Sequence, residues 1–457
     1  MRTRTDTIPR RIQRPGMFAG GDGSTLSLDF TAMSSLDPRF TFTRSTTATF
    51  INSSGYVESI AAAASNDPTK ARFDYDPTTL VARGMLIEGA ATNLFGFSQD
   101  FTQTSVWTIQ TAYTSVSATG GTSPQNTNTG NLFTEPNTNQ ARSIYQAPAG
   151  ATAGTYTASV WAKAGSGSAR FIRLVISSAS TNFGYVTVAL ATGAIQQAAA
   201  AVGTASNAVG TVEAYPNGWY RIRLTVTVAA SVNFCFIVPL DSTGAGVTPT
   251  SDYGRYAYAG NSSTFLLWGA MLESGTAPSS YIPTLTSSTV QRTADTCIAA
   301  STGFSSWFTG GTSGTFYADW YGGVRGITST VRSVLSTSDV SARHLHLQQT
   351  AAAGNLKVAD FGGVNSVTTS NSITSGARTK GAFSFSGSTV NLTLNGGTVA
   401  TSSSIAFSTA PTYLVLGGTS TDGSTITDAT VLLNGSIRAI KYWPSVLPPT
   451  VLQSLTA

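Results

Sequence analysis

Hydrophobic and polar residues alternate along most of this 457-residue chain, in short segments that Gly, Asn, Ser and Pro separate. The alternation is clear in the segments YTASVWAKAG at 156–165 and WYRIRLTVTV at 219–228. A period of two residues is typical of antiparallel β-strands with one buried face, whereas the period that marks helices is almost absent. Many such strands at close spacing predict β-sandwiches or jelly rolls.

Changes in composition divide the chain into four parts. The polar stretch between about 278 and 296 lacks strand alternation, so we expect a linker there. The segment 115–133 has few large apolar residues, and we expect an exposed loop. The expected fold class is all-β, with two antiparallel sandwiches after an extended arm and a small module. The four parts are a flexible basic arm at 1–20, a turn-rich module at 21–95, a first sandwich at 96–288 and a second at 292–457.

Positive charge is concentrated in the arm. The first fifteen residues hold five arginines and one aspartate and so carry +4 of the net charge of +5. The rest of the chain is nearly neutral, which argues against nucleic acid as a partner. Because Pro9 and Pro15 oppose a helix, we expect an extended arm that pairs with carboxylates or an open sheet edge of a partner and becomes ordered only there. The predicted docking residues are Arg2, Arg4, Arg10, Arg11 and Arg14.

The amino-acid composition also limits which classes of protein and which cofactors we expect. Charged residues make up only 10% of the chain, which suits an extracellular or particle-borne β protein better than a cytosolic enzyme. No apolar stretch is long enough to predict a membrane span. Cys235 lies in an apolar run that favours a buried free thiol, and its pairing with Cys297 stays open. His344 and His346 share a strand face but lack a third ligand, so we predict no metal and no cofactor.

No catalytic motif is present, and we predict that the chain is not an enzyme. A glycosidase needs two carboxyl groups flanking one bond, and Asp74 and Asp76 are the visible pair. They alternate along a predicted strand and so share one side of it. Turn formation or pairing with Arg72 and Arg83 accounts for them better than catalysis does. No catalytic residue is therefore predicted.

One part of the sequence resembles a known class of protein. The segments FTRSTTATFINSSGYVES and RFDYDPTTLVARGMLIEGAATNLF carry Arg44, a turn at Asn52–Gly55, and Glu88 before Asn93 and Leu94. In this order the motifs resemble a module of tail-fibre and head-fibre (head-spike) proteins of tailed bacteriophages, over residues 28–96. The resemblance implies that residues 21–95 are a virion-attachment module.

The rest of the chain continues this resemblance. The segments at 156–165, 215–228 and 265–284 resemble a carbohydrate-binding-module-like jelly roll, and the region from about 312 resembles concanavalin A-like (laminin-G-like) sandwiches. The resemblance implies a homotrimeric structural protein on the phage particle surface, anchored to other virion proteins by its N-terminus and able to contact host-surface glycans. Two alternatives stay open: a secreted glycan-binding or glycan-degrading protein, and a capsid-decorating cement protein.

Exposed tryptophans are the candidates for glycan binding, because aromatic faces stack on sugar rings. Trp161 shares a strand face with Lys163, and Trp219 shares one with Arg221 and Arg223. We therefore expect both tryptophans to point outward and predict Trp161 and Trp219 as glycan-binding residues. Packing within the sandwich or a contact between subunits explains them equally well.

Overall fold

Antiparallel strands dominate the chain in a computed structural model. The structure describes residues 21–63, 66–110, 113–168, 170–322, 331–338, 344–350, 354–359, 365–374, 376–405, 410–426 and 431–457. The predicted docking arm, with Arg2, Arg4, Arg10, Arg11 and Arg14, lies outside these residues. The all-β fold class is confirmed, because within the described residues the helices are few and short.

The N-terminal strands are β1 (Leu26–Asp29), β2 (Thr41–Thr43), β3 (Ala48–Ile51), β4 (Val57–Ile60), β5 (Arg72–Tyr75), β6 (Ala82–Ile87) and β7 (Ala91–Asn93). The middle strands are β8 (Thr108–Ile109), β9 (Ser115–Gly121), β10 (Gly130–Thr134), β11 (Asn139–Ala141), β12 (Ile144–Gln146), β13 (Gly154–Ala164), β14 (Phe171–Ala179), β15 (Asn182–Ala189), β16 (Ile195–Val202), β17 (Ser206–Tyr215), β18 (Trp219–Val228), β19 (Phe234–Leu240), β20 (Ala257–Ala259) and β21 (Thr264–Ser274).

The C-terminal strands are β22 (Val290–Arg292), β23 (Thr296–Ala300), β24 (Ser313–Tyr321), β25 (Val331–Ser338), β26 (His344–Thr350), β27 (Asn355–Ala359), β28 (Ser366–Ser372), β29 (Arg378–Ser386), β30 (Thr389–Leu394), β31 (Ala400–Ser402), β32 (Tyr413–Leu416) and β33 (Gly435–Trp443). The helices are α1 (Ser242–Ala245), α2 (Ser301–Ser305) and α3 (Pro449–Thr456), and single 3-10 turns cover Pro68–Lys70, Pro216–Gly218 and Asp252–Gly254. No helix in the described part of the chain is long and apolar enough to cross a membrane.

The middle strands form the first sandwich. One sheet has the order β17-β18-β13-β21-β10-β9, and the facing sheet has the order β16-β15-β14-β19-β12-β8. Alternate side chains of each sheet fill the space between the two sheets. In one sheet Val160 on β13 is the cross-strand neighbour of Ile222 on β18, and in the other Leu174 on β14 is the cross-strand neighbour of Val186 on β15. All four side chains are buried, as the alternation in these strands predicts.

The second sandwich is built from both ends of the chain. One sheet has the order β31-β30-β29-β24-β33-β6-β5, with β1 also paired to β33, and the facing sheet has the order β2-β23-β32-β25-β26-β27-β28. Phe316 on β24 lies opposite Phe383 on β29, with 5.5 Å between the ring centroids, and both are fully buried. Both rings belong to the hydrophobic core of this sandwich.

The boundary expected at residue 95 is wrong, because residues 21–95 are not a separate module. Leu26 pairs with Tyr442, and β6 continues the same sheet alongside β33. Strand β2 extends the facing sheet, where Phe42 lies opposite Cys297. Leu26 and Phe42 are completely buried in the core of the second sandwich. The N-terminal strands cover edges that the C-terminal strands leave open, so the two segments share one core.

The loop expected at 115–133 is also partly wrong. Strand β9 lies at the edge of its sheet, where it pairs with β10, and its side chains are half-exposed or exposed. Ladder hydrogen bonds to β10 hold this edge strand, and Val116 packs against the core of the first sandwich. The two cysteines are both free and lie in different cores, Cys235 in the first sandwich and Cys297 in the second. They therefore do not pair, and burial raises the pKa of both thiols.

Candidate functional site: the crevice between the sandwiches

A crevice of about 560 Å³ lies where the N-terminal strands meet both sandwiches. The N-terminal strands supply a wall from β3, β5 and β6, the first sandwich supplies β17 and β18, and the second supplies the ends of β24 and β33. We call this feature the crevice. Its described charged and aromatic lining includes Asp74, Asp76, Arg83, Glu88, Glu213, Arg221, Arg223, Trp161, Tyr215, Tyr281 and Tyr321.

A buried ion cluster holds the walls of the crevice together. Arg44 Nη1 lies 3.1 Å from Asp295 Oδ1, and Arg72 Nη1 lies 2.7 Å from Glu88 Oε2. Arg72 also pairs with Asp295, and Arg292 Nη2 lies 3.6 Å from Glu88 Oε2. These side chains are at most 6% exposed, so each charge depends on its partners rather than on water. We call these five residues the Arg72 cluster.

The Arg72 cluster ties the linker to the N-terminal strands. Glu88 accepts hydrogen bonds from Ser280 N at 2.8 Å and from Ser280 Oγ at 2.7 Å. Burial raises the pKa of Glu88, but Arg292, Arg72 and Ser280 together lower it well below its usual range. Glu88 is therefore ionised at neutral pH, and its hydrogen bonds hold Ser280 of the linker against the end of β6.

The residues that carry the sequence resemblance have structural contacts here. Arg44 and Glu88 belong to the Arg72 cluster. Asn52 Oδ1 accepts hydrogen bonds from Ser54 N at 3.0 Å and Tyr56 N at 3.1 Å, which closes the predicted turn. Asn93 Nδ2 donates to Ala270 O at 3.2 Å and to Ile282 O at 2.9 Å, so it joins β7 to the first sandwich and the linker.

Two carboxylates of the crevice are paired with arginines. Arg83 Nη2 lies 2.8 Å from Asp76 Oδ2 and 3.7 Å from Glu213 Oε1. Glu213 also pairs with Arg223 and accepts a hydrogen bond from the Tyr215 hydroxyl at 3.1 Å. Burial raises the pKa of Glu213, but Arg223 and Arg83 lower it below its usual range. The pairing of Asp76 with Arg83 that the sequence suggested is confirmed.

Asp74 differs from these carboxylates because it forms no ion pair with any residue that the structure describes. It is 8% exposed, and its Oδ1 accepts a hydrogen bond from Ile51 N at 2.7 Å. Burial raises the pKa of Asp74 to about 7, against the opposing effects of that hydrogen bond and of Arg83. Burial therefore disfavours the ionised form of Asp74, compared with an exposed aspartate. The suggested pairing of Asp74 with Arg72 is wrong, because Arg72 is engaged by Glu88 and Asp295.

The expected outward orientation of Trp161 and Trp219 is wrong, since both side chains are 0% exposed. The centroid of the Trp161 ring lies 5.2 Å from that of Trp268 and 5.4 Å from that of Tyr281. The guanidinium carbon of Arg221 lies 4.4 Å from the centroid of the Trp161 ring. Trp219 Nε1 donates to Thr122 O at 2.9 Å. Trp161 still lines the crevice, whereas Trp219 does not appear in its wall.

The physical reason is a second apolar layer on the outer face of the β18-β13-β21 sheet. Val57 of β4 and Tyr281 and Ile282 of the linker pack on this face with both tryptophans. Alternation distinguishes the two faces of a strand but does not reveal that a distant segment covers the polar-looking one. The crevice residues that sequence reasoning missed include Glu213 on β17, and Tyr321 at the end of β24 completes the wall on the side of the second sandwich.

No metal centre is formed by the residues in view: among them, no three His, Cys, Asp or Glu side chains are grouped as a metal site requires. The side chains of His344 and His346 lie outside the described residues.

Comparisons with known proteins return weak similarities in structure. No protein family model matches the chain, and no curated protein does. A leech intramolecular trans-sialidase is 22% identical over 32% of this chain, with a TM-score of 0.25, and this chain spans only 23% of that protein. Domain 4 of a GH43 extracellular arabinanase from Geobacillus stearothermophilus is 16% identical, with 36% of this chain and 73% of that chain covered and a TM-score of 0.28.

Mouse laminin α1 domains LG4-5 are 10% identical, with 83% of this chain and 94% of that chain covered and a TM-score of 0.23. At this level of similarity, the β-sandwich assignment rests on the strands and cores described above.

Proposed function

We propose that this chain is a structural appendage protein of a tailed-phage particle and that it binds a host-surface glycan in the crevice. In this proposal the N-terminal arm docks the protein onto other virion proteins, the sandwiches project outward and three copies assemble. The protein acts by binding and performs no catalysis.

The observation that carries the glycan-binding part is the composition of the crevice. Its volume of about 560 Å³ lies within the range of small-ligand sites, about 300–1,000 Å³. Tyr321, which is partly exposed at the end of β24, contributes an aromatic ring that can stack on a sugar ring, whereas Tyr215 and Tyr281 are buried beside Trp161. Asp76, Arg83 and the other charged groups already hold one another in place, so hydrogen-bonding groups are preorganised for a polar ligand.

The virion part of the proposal is supported by the sequence. Residues 28–96 resemble phage fibre proteins, and the five arginines of the arm are the main concentration of charge in a nearly neutral chain. A charged, extended segment ahead of a rigid β body suits docking onto acidic side chains of a partner.

A glycan array with the full-length chain tests the binding role. We expect the wild type to bind a subset of glycans and Tyr321→Ala to weaken that binding at least tenfold. Tyr317→Ala is the matched control, because Tyr317 lies on the same face of β24 but outside the crevice lining. Equal losses in the two variants, or none in Tyr321→Ala, would contradict a glycan site in the crevice.

Electron microscopy of the whole particle tests the location. We expect density for two sandwiches per copy, in groups of three, outside the head or the tail. Particles that lack the protein altogether would contradict the virion assignment while leaving the glycan array result intact.

A further inference from the structure

Arg221 on β18 lines the crevice and forms no ion pair with any residue that the structure describes. The two other arginines of the lining are held by carboxylates, since Arg83 pairs with Asp76 and Arg223 pairs with Glu213. Arg221 is only 5% exposed, so water compensates little of its charge. A buried cation without a counterion is costly, which makes this guanidinium unusual in a wall of paired charges.

Hydrogen bonds satisfy only part of the Arg221 guanidinium. Nη2 donates to Ser159 Oγ at 3.2 Å and to Ser279 O at 3.1 Å, Nε is buried without a partner, and no described residue accepts a hydrogen bond from Nη1. Two other arginines are buried without an ion pair in the described part of the chain, and they differ in this respect. Arg142 donates to four carbonyl oxygens, and Arg173 donates to four acceptors. Arg221 therefore keeps donor capacity that those two arginines use within the protein.

The surroundings of Arg221 fix its orientation. Its guanidinium carbon lies 4.4 Å from the centroid of the Trp161 ring, and the hydrogen bond to Ser279 O holds it against the linker. Burial and the like charge of Arg223 lower the pKa of Arg221, although an arginine stays charged at neutral pH. The crevice thus presents a positioned cation that an anion would stabilise.

The carboxyl groups of the crevice leave this cation to a ligand. Three of them already form ion pairs with arginines other than Arg221: Asp76, Glu88 and Glu213. Burial disfavours the ionised form of the fourth, Asp74. An anion beside Arg221 therefore meets a charge that the protein has not neutralised, and the negative groups around it are screened by their own partners.

We infer that the crevice binds an acidic glycan and that the guanidinium of Arg221 pairs with a carboxylate or sulfate group of that glycan, with Nη1 as a donor. This inference rests on the proposed glycan-binding function. The acid group supplies the missing counterion, and hydrogen bonds between two charged groups are stronger than those to a sugar hydroxyl. An uncharged sugar would leave the buried cation uncompensated.

The experiment measures binding of the full-length protein to three panels: uncharged oligosaccharides, oligosaccharides that carry sialic or uronic acids, and sulfated oligosaccharides. We expect the wild type to prefer an acidic panel, and the two acidic panels distinguish a carboxylate from a sulfate. Arg221→Gln removes the charge and keeps an amide donor for Ser279 O. We expect this variant to bind acidic glycans about tenfold to a hundredfold more weakly than the wild type does.

Arg255→Gln is the matched control, because Arg255 pairs with Asp252 outside the crevice lining and its replacement removes the same charge. This variant should bind acidic glycans as the wild type does. Arg221→Lys restores a positive charge without the planar fork and should recover part of the lost affinity. Circular dichroism checks that every variant is folded.

The outcomes separate the inference from the function on which it rests. The inference is overturned if the wild type binds only uncharged glycans, a result that needs no variant and leaves the glycan-binding function standing. It is also overturned if folded Arg221→Gln keeps the wild-type affinity for acidic glycans, or if Arg255→Gln loses as much affinity as Arg221→Gln does. If the folded wild type binds no glycan of any panel, the proposed glycan-binding function itself is contradicted.

Discussion

Replacement of Asp74 by Asn should change how the stability of this protein depends on pH. The carboxyl group is 8% exposed and receives one hydrogen bond, from Ile51 N, and burial raises its pKa from 3.8 to about 7. The unfolded chain loses this proton near pH 4, whereas the folded protein keeps it until about pH 7. Between these values the folded state binds one more proton, so the stability falls as the pH rises.

The size of the effect follows from the shift. One pKa unit corresponds to about 1.4 kcal/mol, so a shift of about three units gives a loss of about 4 kcal/mol between pH 4 and pH 8. An asparagine does not titrate and avoids this loss. We therefore expect Asp74→Asn to become more stable than the wild type as the pH rises, with the difference growing by about 4 kcal/mol over that interval.

Urea denaturation followed by tryptophan fluorescence, at several pH values from 4 to 8, measures the difference. Asp76→Asn provides a contrast of opposite sign. Burial raises the pKa of Asp76, but the amide of Thr79 and the side chain of Arg83 lower it to about 2, so its carboxylate stabilises the fold above pH 4. We expect Asp76→Asn to be less stable than the wild type at pH 7. Parallel stability curves for Asp74→Asn and the wild type from pH 4 to pH 8 would refute the reasoning.

Four further predictions concern the Arg72 cluster, the close contact at Gly269, the N-terminal arm and catalysis. Arg72→Met should destabilise the protein by about 3–5 kcal/mol in urea denaturation, because Glu88 and Asp295 lose a buried partner, and an unchanged midpoint would count against the Arg72 cluster. Gly269→Ala should lower the melting temperature, because Gly269 has a φ of 63° and a Cβ there would lie 2.8 Å from the Trp161 ring. Deletion of residues 2–15 should leave the melting temperature unchanged and abolish incorporation into particles, and the full-length protein should release no sugar from host polysaccharide in a reducing-end assay.

Local sequence patterns predicted the strands well because alternation reflects the burial of each strand face. Val160 and Ile222 lie in the core where the pattern puts them. The same pattern failed for Trp161 and Trp219, because Tyr281 and Ile282 of the linker and Val57 of β4 cover the face that looks polar. Such cover comes from residues far away in the sequence, so no local window contains it.

The crevice was foreseen only in part. The sequence placed Asp74 and Asp76 on one side of a strand and suggested Arg83 as a partner, and the structure brings all three into one wall. It could not show that Glu213 and Tyr321 from two different sandwiches complete the site. Nor could it separate the two acids, because the burial of Asp74 depends on how β3 and the first sandwich pack around it.

The pairing of β1 with β33 also governs when this protein can complete its fold during synthesis. Leu26 pairs with Tyr442, which is more than 400 residues later in the sequence. Strand β1 therefore has no pairing partner until that part of the chain has been synthesised. At about 5–20 residues per second, the ribosome needs roughly 20–80 s to deliver that partner. The first sandwich can fold within that time, whereas the apolar side chains of Leu26, Leu28 and Phe30 remain without their final contacts. The nascent chain therefore presents an aggregation-prone N-terminal segment until translation is almost finished, which makes it a natural client for ribosome-associated chaperones.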